Sequence, residues 1–379
     1  MDKANKKACI FHIPNKLDDK GLSGSQVRPR MMLQAFKNIG YDVDVVMGYG
    51  KERKEAIKKI KENIKKGKKY DFLYSESSTM PTLLTEKNHF PTYPFLDFSF
   101  FKFCKKYGIK IGLFYRDIHW KFPKYRKNVR GIKYLVAIIA YKYDLKKYEK
   151  LVDMFYLISF KVNDYIKNPI LEEKTNLLLP AASYNYEFIK EKNIFYKQRL
   201  KRHDGNLNLF YVGGIGGSYQ FLEFLSWIKN LKNIYLTICC RQKEWEEYKD
   251  IYKPYLTDNI NIVHASGKEL EKYYKKADIS LAYFKGDNYM KMAVPVKFFE
   301  YVGHVCPIIT TNNLIIGDYI KDSNIGWSIP YSEIAIKELL NNLSNNYEDV
   351  VKKHDSSMIY LKSNTWEERA RKVANDLSR

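Results

Sequence analysis

The chain has 379 residues, of which 45% are hydrophobic, and a formal charge of +22. A chain of that length is longer than a domain with one ordinary hydrophobic core, and it fits two domains of about 150–200 residues each. Its five cysteines include no CxxC pair, which argues against a disulfide framework or a zinc site and fits buried thiols in a reducing cytoplasm. The longest apolar run near the middle, 134–141, is far shorter than the ~20 residues that span a bilayer, and the first residues lack an apolar signal stretch. We therefore expect a cytoplasmic protein that meets a membrane, if at all, by lying on its inner face.

The first half reads as alternating strands and helices. Residues 8–13 predict a buried strand, followed by a glycine-containing loop, a helix over 26–39 that Gly40 ends, and a strand over 41–47. This is the βαβ unit of parallel sheets. Three further buried strands are predicted at 71–75, 109–115 and 155–158.

The same alternation starts again in the second half. A strand at 206–212 precedes a glycine-rich turn, a helix over 218–230 and a strand over 234–239. Further strands are predicted at 261–264, 278–283 and 307–310, and the chain closes with a helix over 366–377. The alternation predicts an α/β protein with two Rossmann-like domains. Because a polar, basic stretch precedes the second series, we divide the chain into 1–185, 186–363 and 364–379.

The positive charge favours a polyanionic partner: nucleic acid, anionic lipid or a phosphorylated substrate. A lysine-rich, solvated surface explains it equally, and residues 51–69 predict such a helix. Residues 131–150 combine an apolar start with a basic, aromatic end, which is typical of a helix on an anionic membrane. Burial of 134–141 in an ordinary core is the alternative.

The glycine-rich turn is the first candidate binding element. Glycines let the backbone approach a phosphate, and amides at a helix start attract an anion. Ser218 could cap that helix or bind the phosphate itself. A tight turn without a ligand is equally compatible with the pattern. The turn contains Gly213, Gly214, Gly216 and Gly217.

The segment 295–301, PVKFFEY, is the strongest candidate. Lys297 and Glu300 are three residues apart and share one helix face. A cation near a helix start suits a diphosphate, and an ionised carboxylate, which only accepts hydrogen bonds, suits ribose hydroxyls. The alternative is a surface ion pair.

A third group lies where the strand at 109–115 ends. Arg116, Asp117 and His119 are polar residues at the edge where open α/β sheets bind ligands. Asp117 could act as a base or orient an acceptor hydroxyl, His119 could bind a sugar or share a proton, and Arg116 could hold a phosphate. An Arg–Asp ion pair capping the strand is the alternative.

The start of the first helix forms a fourth group. Ser25, Arg28 and Arg30 occur in SGSQVRPR, where a phosphate could bind. A capped surface helix explains the same residues.

The stretch PVKFFEYVGHVCPIITT closely resembles the donor-site motif of retaining GT-B glycosyltransferases of the family-four (group 1) type. Gly24-Ser25 resembles the glycine loop of the first domain in that family, and Leu179-Pro180 its "iPNG" turn. Three more segments resemble parts of the family pattern, in the same chain order: Ile158-Ser159, 261–277 and 364–369. The resemblance covers essentially the whole chain and is nearest to capsule and exopolysaccharide assembly enzymes.

The resemblance implies two domains facing across a cleft, a last helix returning to the first domain, and acceptor and donor sites in the first and second domains. It implies a hexosyltransferase without metal or other cofactor, moving a sugar from a nucleotide-diphosphate donor to a saccharide, such as a polyprenyl-diphosphate-linked one. Glu300 would bind ribose, Lys297 and 213–218 the phosphates, and 284–289 would border the sugar. His264 and Ser266 would lie near the base.

The chain also departs from the family pattern. Many relatives carry a second Glu seven residues before Glu300, where this chain has Met292. The usual Arg and Lys after the glycine turn are absent, so Lys297 and Arg241 would supply the positive charge. A nucleotide-sugar epimerase of the same fold, a nucleic-acid-binding protein and a catalytically silent carrier therefore stay open, although no zinc-finger or RNP-like motif supports nucleic-acid binding.

Overall fold

The computed structural model describes residues 7–18, 21, 23–286, 290–291 and 294–378, and only the backbone of Ser218. The chain forms two compact units. The first unit is Met1–Pro180 with Trp366–Arg379, and the second unit is Ala181–Thr365. The division proposed from the sequence was after residue 185, with the last segment beginning at 364.

The first unit is built on a parallel sheet of six strands in the order β2-β1-β3-β4-β5-β6. Its central strands are almost wholly buried, because helices cover both faces and apolar residues continue through each strand. The strands are β1 (Ala8–His12), β2 (Asp42–Val46), β3 (Phe72–Glu76), β4 (Lys110–Phe114), β5 (Met154–Leu157) and β6 (Thr175–Leu177). Five of them match predicted strands. The edge strand β6 was not predicted.

Seven helices connect these strands within the described residues of the first unit up to residue 180. They are α1 (Gly24–Asn38), α2 (Gly50–Lys65), α3 (Leu96–Lys106), α4 (Pro123–Asn128), α5 (Gly131–Leu151), α6 (Asn163–Ile166) and α7 (Pro169–Glu173). The predicted lysine-rich helix is confirmed as α2, which buries Arg53, Ile57, Ile60 and Ile64 and leaves most of its lysines exposed.

The second unit repeats the architecture with strand order β12-β11-β10-β7-β8-β9. Counted from β7, this is the Rossmann order, and it reverses between β7 and β10. The strands are β7 (Leu207–Val212), β8 (Ile234–Cys239), β9 (Ile260–Val263), β10 (Ile279–Ala282), β11 (Ile308–Thr311) and β12 (Gly326–Ile329). The expected doubling of a parallel α/β architecture is confirmed, and β12 is the strand that was not predicted.

The helices of the second unit flank this sheet. They are α8 (Tyr186–Lys201), α9 (Leu222–Ile228), α10 (Gln242–Tyr252), α11 (Glu271–Lys276), α12 (Val296–Gly303), α13 (Ile315–Asp322), α14 (Glu333–Asn345) and α15 (Tyr347–Lys362). The predicted helix from residue 218 was wrong at its start. Gly217 adopts a left-handed φ of 58° in a 3₁₀ turn, and Gln220 is extended, so the α-helix begins only at Leu222.

The last helix, α16 (Trp366–Leu377), belongs to the first unit, which confirms the expected return. It packs against α1 and buries an apolar face containing Trp366, Ala370, Val373 and Leu377. Arg369 fastens the helix to the end of the first unit, because its Nε donates to the carbonyl oxygens of Leu179 (3.2 Å) and Pro180 (3.3 Å).

A buried polar network joins β1, β3, α2 and α3. The Nε2 of His12 lies 2.9 Å from Oδ1 of Asp97, and its Nδ1 lies 2.8 Å from Oγ of Ser75. The Nε of Arg53 donates to the same Asp97 oxygen at 3.0 Å. Because Ser75 is 1% exposed, this serine–histidine–aspartate chain offers no surface to a substrate, and we assign it to the stability of the first unit.

All five cysteines are buried and unpaired, as expected. Burial raises the pKa of the Cys240 thiol to about 12, so this sulfur stays protonated at neutral pH. Within the part of the chain that the structure describes, no helix has the length and apolarity needed to cross a membrane.

Candidate functional site

The strand order of the second unit reverses between β7 and β10. Strand β7 ends at Val212, and its sheet neighbour β10 ends at Ala282. In open α/β sheets, ligands bind beyond the carboxyl ends of strands at such a reversal. The glycine-rich turn begins here with Gly213, whose φ of 151° lies in a region that favours glycine.

Lys297 lies against this turn. It stands in the first turn of α12, after the N-cap residue Pro295, and its Nζ donates to the hydroxyl of Tyr211 at 2.9 Å. The ammonium also lies 4.6 Å and 4.4 Å from the ring centroids of Tyr211 and Tyr219. A Cβ at Gly213 would collide with the Nζ atom, so glycine is required for this approach.

The surroundings of Lys297 disfavour its charge. Desolvation lowers the pKa of the ammonium to about 7, although the carboxylates of Glu300 and Glu244 act in the opposite direction. An incoming phosphate would restore the charged form, because a nearby anion raises the pKa of a lysine.

Glu300 lies one helical turn beyond Lys297 and is partly buried. Burial raises the pKa of its carboxyl group to about 7, and only the charge of Lys297 opposes this rise. Within the described residues, no group donates a hydrogen bond to the Glu300 side chain. A carboxylate can accept up to four hydrogen bonds, and one that receives none from the described residues is suited to hydroxyl groups of a ligand.

The glycine turn itself is held by a carboxylate that the sequence did not point to. Oε1 of Glu244, on α10, accepts hydrogen bonds from the amides of Ile215 (2.9 Å) and Gly216 (3.1 Å). The amide of Gly213 is also used, since it donates to the carbonyl of Cys239. These three donors are therefore satisfied within the protein, and the turn shapes the site more than it supplies amides to a phosphate.

The remaining predicted donor-site residues follow β8 and β9, whose carboxyl ends share the edge of the glycine turn. Arg241 is the exposed N-cap residue of α10. His264 is exposed, and its Nδ1 lies 2.8 Å from the carbonyl oxygen of Cys240. Ser266 is exposed just before a 3₁₀ turn.

Two parts of the predicted donor site fall outside the described residues: the side chain of Ser218, and residues 287–289 of the expected sugar-binding stretch. Their predicted contacts therefore stay predictions. Met292, the position where many relatives carry a second Glu, also lies outside the described residues.

In the first unit, Arg116 follows β4, and it forms an ion pair with Glu76 rather than the Arg–Asp pair that was the alternative reading of the sequence. Its Nη2 lies 3.1 Å from Oε2 of Glu76, and its Nε donates to the carbonyl of Ser77. Glu76 is fully buried and also lies 3.4 Å from the Nε of Arg28. Arg116 therefore pairs with Glu76 at the end of β3, a residue that sequence analysis did not select.

Asp117 and His119 form a pair of their own. Oδ1 of Asp117 accepts from the backbone amide of His119 at 2.9 Å, and Oδ2 lies 3.3 Å from its ring Nδ1. The other ring nitrogen lies 3.4 Å from the hydroxyl of Tyr141. Both side chains are partly exposed, at 21% and 31%. A partly exposed imidazole beside a carboxylate is suited to proton exchange with a bound hydroxyl.

The start of α1 contains Gly24 and Ser25 in its first turn, and the Oγ atoms of Ser23 and Ser25 lie 2.8 Å apart. Arg28 is buried, with its guanidinium 3.5 Å from the Phe114 ring centroid and its Nη1 bonded to the Leu179 carbonyl. Arg30 donates to the carbonyl of Gly21. Both arginines thus contact the protein itself at this edge of the sheet.

No protein-family model and no curated protein matches the sequence. Solved structures do match along almost the whole chain. Anabaena Alr3699/HepE in complex with UDP and glucose aligns with a TM-score of 0.62 and 9% identity, over 98% of this chain and 99% of that one. A glycosyltransferase from Rickettsia africae aligns with a TM-score of 0.63 and 14% identity, over 98% of both chains.

Sucrose-phosphate synthase from Thermosynechococcus elongatus aligns with a TM-score of 0.57 and 12% identity, over 97% of this chain and 98% of that one. At such identities the likeness concerns the fold. The chain has two Rossmann-like domains, the architecture of the GT-B fold.

Proposed function

We propose that this chain is a glycosyltransferase that binds a nucleoside-diphosphate sugar in its second unit and transfers the sugar to a saccharide. The observation that carries the proposal is the Lys297–Glu300 pair on one helix face, beside Gly213 at the strand-order reversal. The UDP and glucose bound by the similar Anabaena protein support the choice of ligand.

In this proposal each residue of the pair has one role. Ionised Glu300 accepts hydrogen bonds from the ribose hydroxyls. Protonated Lys297 faces the diphosphate, and the charge that develops on this leaving group during transfer is stabilised by the fixed ammonium. The partly buried position of Lys297 strengthens that interaction, because the effective dielectric constant is lower than in water.

The first unit would bind the acceptor. His119, which lies beside Asp117, is suited to hydrogen-bond a sugar hydroxyl or exchange a proton with it. Arg116 would support this edge through Glu76.

We further propose a retaining hexosyl transfer without metal or other cofactor, in the cytoplasm, onto a lipid-linked saccharide of a cell-surface capsule or exopolysaccharide. The formal charge of +22, which suits a phosphorylated acceptor, supports this choice.

The direct test incubates the chain with UDP-, GDP-, dTDP- and CMP-sugars and a panel of free and polyprenyl-diphosphate-linked saccharides. We expect one donor to yield a glycosylated product and free nucleotide. Product analysis without an acceptor separates transfer from epimerisation of the donor sugar. If no donor is consumed with any acceptor, or if the donor is only epimerised, the transferase proposal fails.

The affinity for the donor should peak near pH 7. Below this pH the Glu300 carboxyl group becomes protonated in the free protein, and above it Lys297 becomes neutral, because both pKa values are about 7. Each loss should weaken binding by up to about tenfold per pH unit. Calorimetric titration with a nucleotide sugar from pH 5.5 to 8.5 measures this profile.

Two variants should each remove one side of this pH profile. The affinity of Glu300→Gln for the donor should vary little with pH below pH 7, and the affinity of Lys297→Met should vary little with pH above it. A wild-type affinity that stays constant across this range would show that the pair does not contact the donor.

A further inference from the structure

The first half of α5 exposes four large apolar side chains on one face. Ile132, Leu135, Val136 and Ile139 are 79%, 59%, 45% and 67% exposed. Their spacing of three, four and seven residues places them along a single stripe. We call these four residues the α5 stripe. The opposite face of the helix supplies the buried residues Ala137, Ala140, Tyr141, Asp144, Leu145 and Tyr148.

The alternative drawn from the sequence, burial of 134–141 in an ordinary core, holds only in part. The helix is anchored in the first unit by one face, as an ordinary core helix would be, yet its apolar start points away from that core. Single exposed apolar residues are common on proteins, but a contiguous apolar stripe marks an interaction surface.

Positive charge surrounds the α5 stripe. Residues 121–150 contain ten Lys and Arg but only two acidic residues, Asp144 and Glu149. Asp144 is buried, and Glu149 accepts a hydrogen bond from Asn168. Exposed cations precede the stripe on α4 and its connection to α5, and others continue beyond it along α5: Lys124, Arg126, Lys127, Arg130, Lys142, Lys146 and Lys150.

These cations are not neutralised by the protein. In the parts of the chain that the structure describes, none of the seven lies within ion-pair distance of a carboxylate. The pKa of neighbouring Lys121 is lowered by desolvation and by repulsion from Lys142 and Lys167. An anion that approaches this surface would therefore meet cations that have no ion-pair partner among the described residues.

We propose that the α5 stripe and its basic surround dock this chain on the surface of an anionic phospholipid membrane. The four apolar side chains would enter the boundary between headgroups and acyl chains, and the cations would contact lipid phosphates. A basic amphipathic helix surface binds membranes by this combination. The stripe spans eight residues, about 12 Å along the helix axis, which is enough to lie in the interface and too short to cross it.

Charge decides between a membrane and a second copy of the chain. A symmetric dimer through the α5 stripe would bring two sets of unpaired cations together, and like charges across an interface disfavour association. A bilayer that contains anionic lipid supplies apolar depth and opposite charge at once. The docking surface lies in the first unit and does not depend on the proposed donor site.

The test is co-sedimentation of the full chain with vesicles of equal parts phosphatidylglycerol and phosphatidylcholine, compared with pure phosphatidylcholine. We expect binding to the anionic vesicles that weakens with salt. The double variant Ile132→Asn, Ile139→Asn should lower the partition coefficient by about tenfold or more, because two isoleucines no longer enter the membrane.

A matched control uses two isoleucines on the second unit. Ile334 and Ile359 are each 71% exposed, so the variant Ile334→Asn, Ile359→Asn removes similar apolar surface elsewhere and should bind like the wild type. For charge, Lys124→Glu with Lys127→Glu should weaken binding more than Lys54→Glu with Lys58→Glu on α2. Unchanged thermal unfolding checks that each variant is folded.

Several results would overturn the proposal. Equal binding of wild type to neutral and anionic vesicles would remove the role of charge. An equal loss of vesicle binding in the stripe and control variants would show that the membrane contact is not made by the α5 stripe. Light scattering that shows a dimer dissociated by the Ile132→Asn, Ile139→Asn variant would assign the stripe to self-association.

Discussion

Replacing Lys297 with methionine is expected to lower the affinity for the nucleotide-sugar donor about a hundredfold at pH 7. Methionine keeps an unbranched aliphatic side chain, but it removes the ammonium that lies over the rings of Tyr211 and Tyr219. Losing one partner of a partly buried charge pair costs about 2–5 kcal/mol, and each 1.4 kcal/mol corresponds to a factor of ten in affinity.

The control is Lys337→Met on α14 of the second unit. Among the described residues, Lys337 pairs only with Glu333 at the surface, so its loss should leave donor affinity unchanged. Isothermal titration of both variants measures the difference. Equal affinities of the Lys297→Met variant and the wild type would place the diphosphate elsewhere.

The second large effect concerns stability. Asp97→Asn is expected to destabilise the first unit by about 3 kcal/mol, because the buried Arg53 guanidinium loses the carboxylate that it contacts at 3.0 Å and keeps the more distant Glu86, 4.0 Å away. Burial opposes the ionisation of Asp97, but the hydrogen bond and charge of His12 and the charge of Arg53 outweigh it, so the pKa of Asp97 lies below its usual value. The stabilisation is therefore present at neutral pH and is lost as pH falls through the pKa in the folded state.

Native-state hydrogen exchange of the β1 and β3 amides measures this effect within the first unit. Asp250→Asn, at a fully exposed ion pair with Lys253, is the matched control and should leave exchange unchanged. Adding Arg53→Met to Asp97→Asn should recover part of the lost stability, since the buried charge that has lost its closer carboxylate is then gone. A loss for Asp97→Asn no larger than that of the control would show that the network is not what stabilises this edge.

Much of the fold follows from local pattern. Strands such as β1 and β7 are mainly apolar segments followed by glycine-containing loops, and the structure confirms them. The edge strands β6 and β12 escaped prediction because they have only three and four residues and are mostly half-buried. Their pairing with β5 and β11 is a contact between distant segments, which local pattern does not report.

Some residues of the candidate site could likewise be predicted from local pattern, and others could not. Lys297 and Glu300 could be paired from their spacing on one helix. Glu244 could not be linked to the glycine turn from the sequence, because it lies on α10, which follows the next strand, β8. Its contact with Ile215 joins two segments that local pattern does not relate. Glu76 did leave a signal, an acid at the end of a buried strand, and the structure shows that it joins Arg28 and Arg116.

The most direct test of the central claim is calorimetric titration of the full chain with UDP-, GDP-, dTDP- and CMP-sugars, with Glu300→Gln alongside and Glu338→Gln, an exposed glutamate on α14, as control. We expect one nucleotide class to bind to the wild type and the control, and to bind about tenfold or more weakly to Glu300→Gln, since hydrogen bonds to a charged acceptor contribute about 1.5–3 kcal/mol. Binding of no nucleotide sugar, or equal binding by all three proteins, would contradict a donor site built around Glu300.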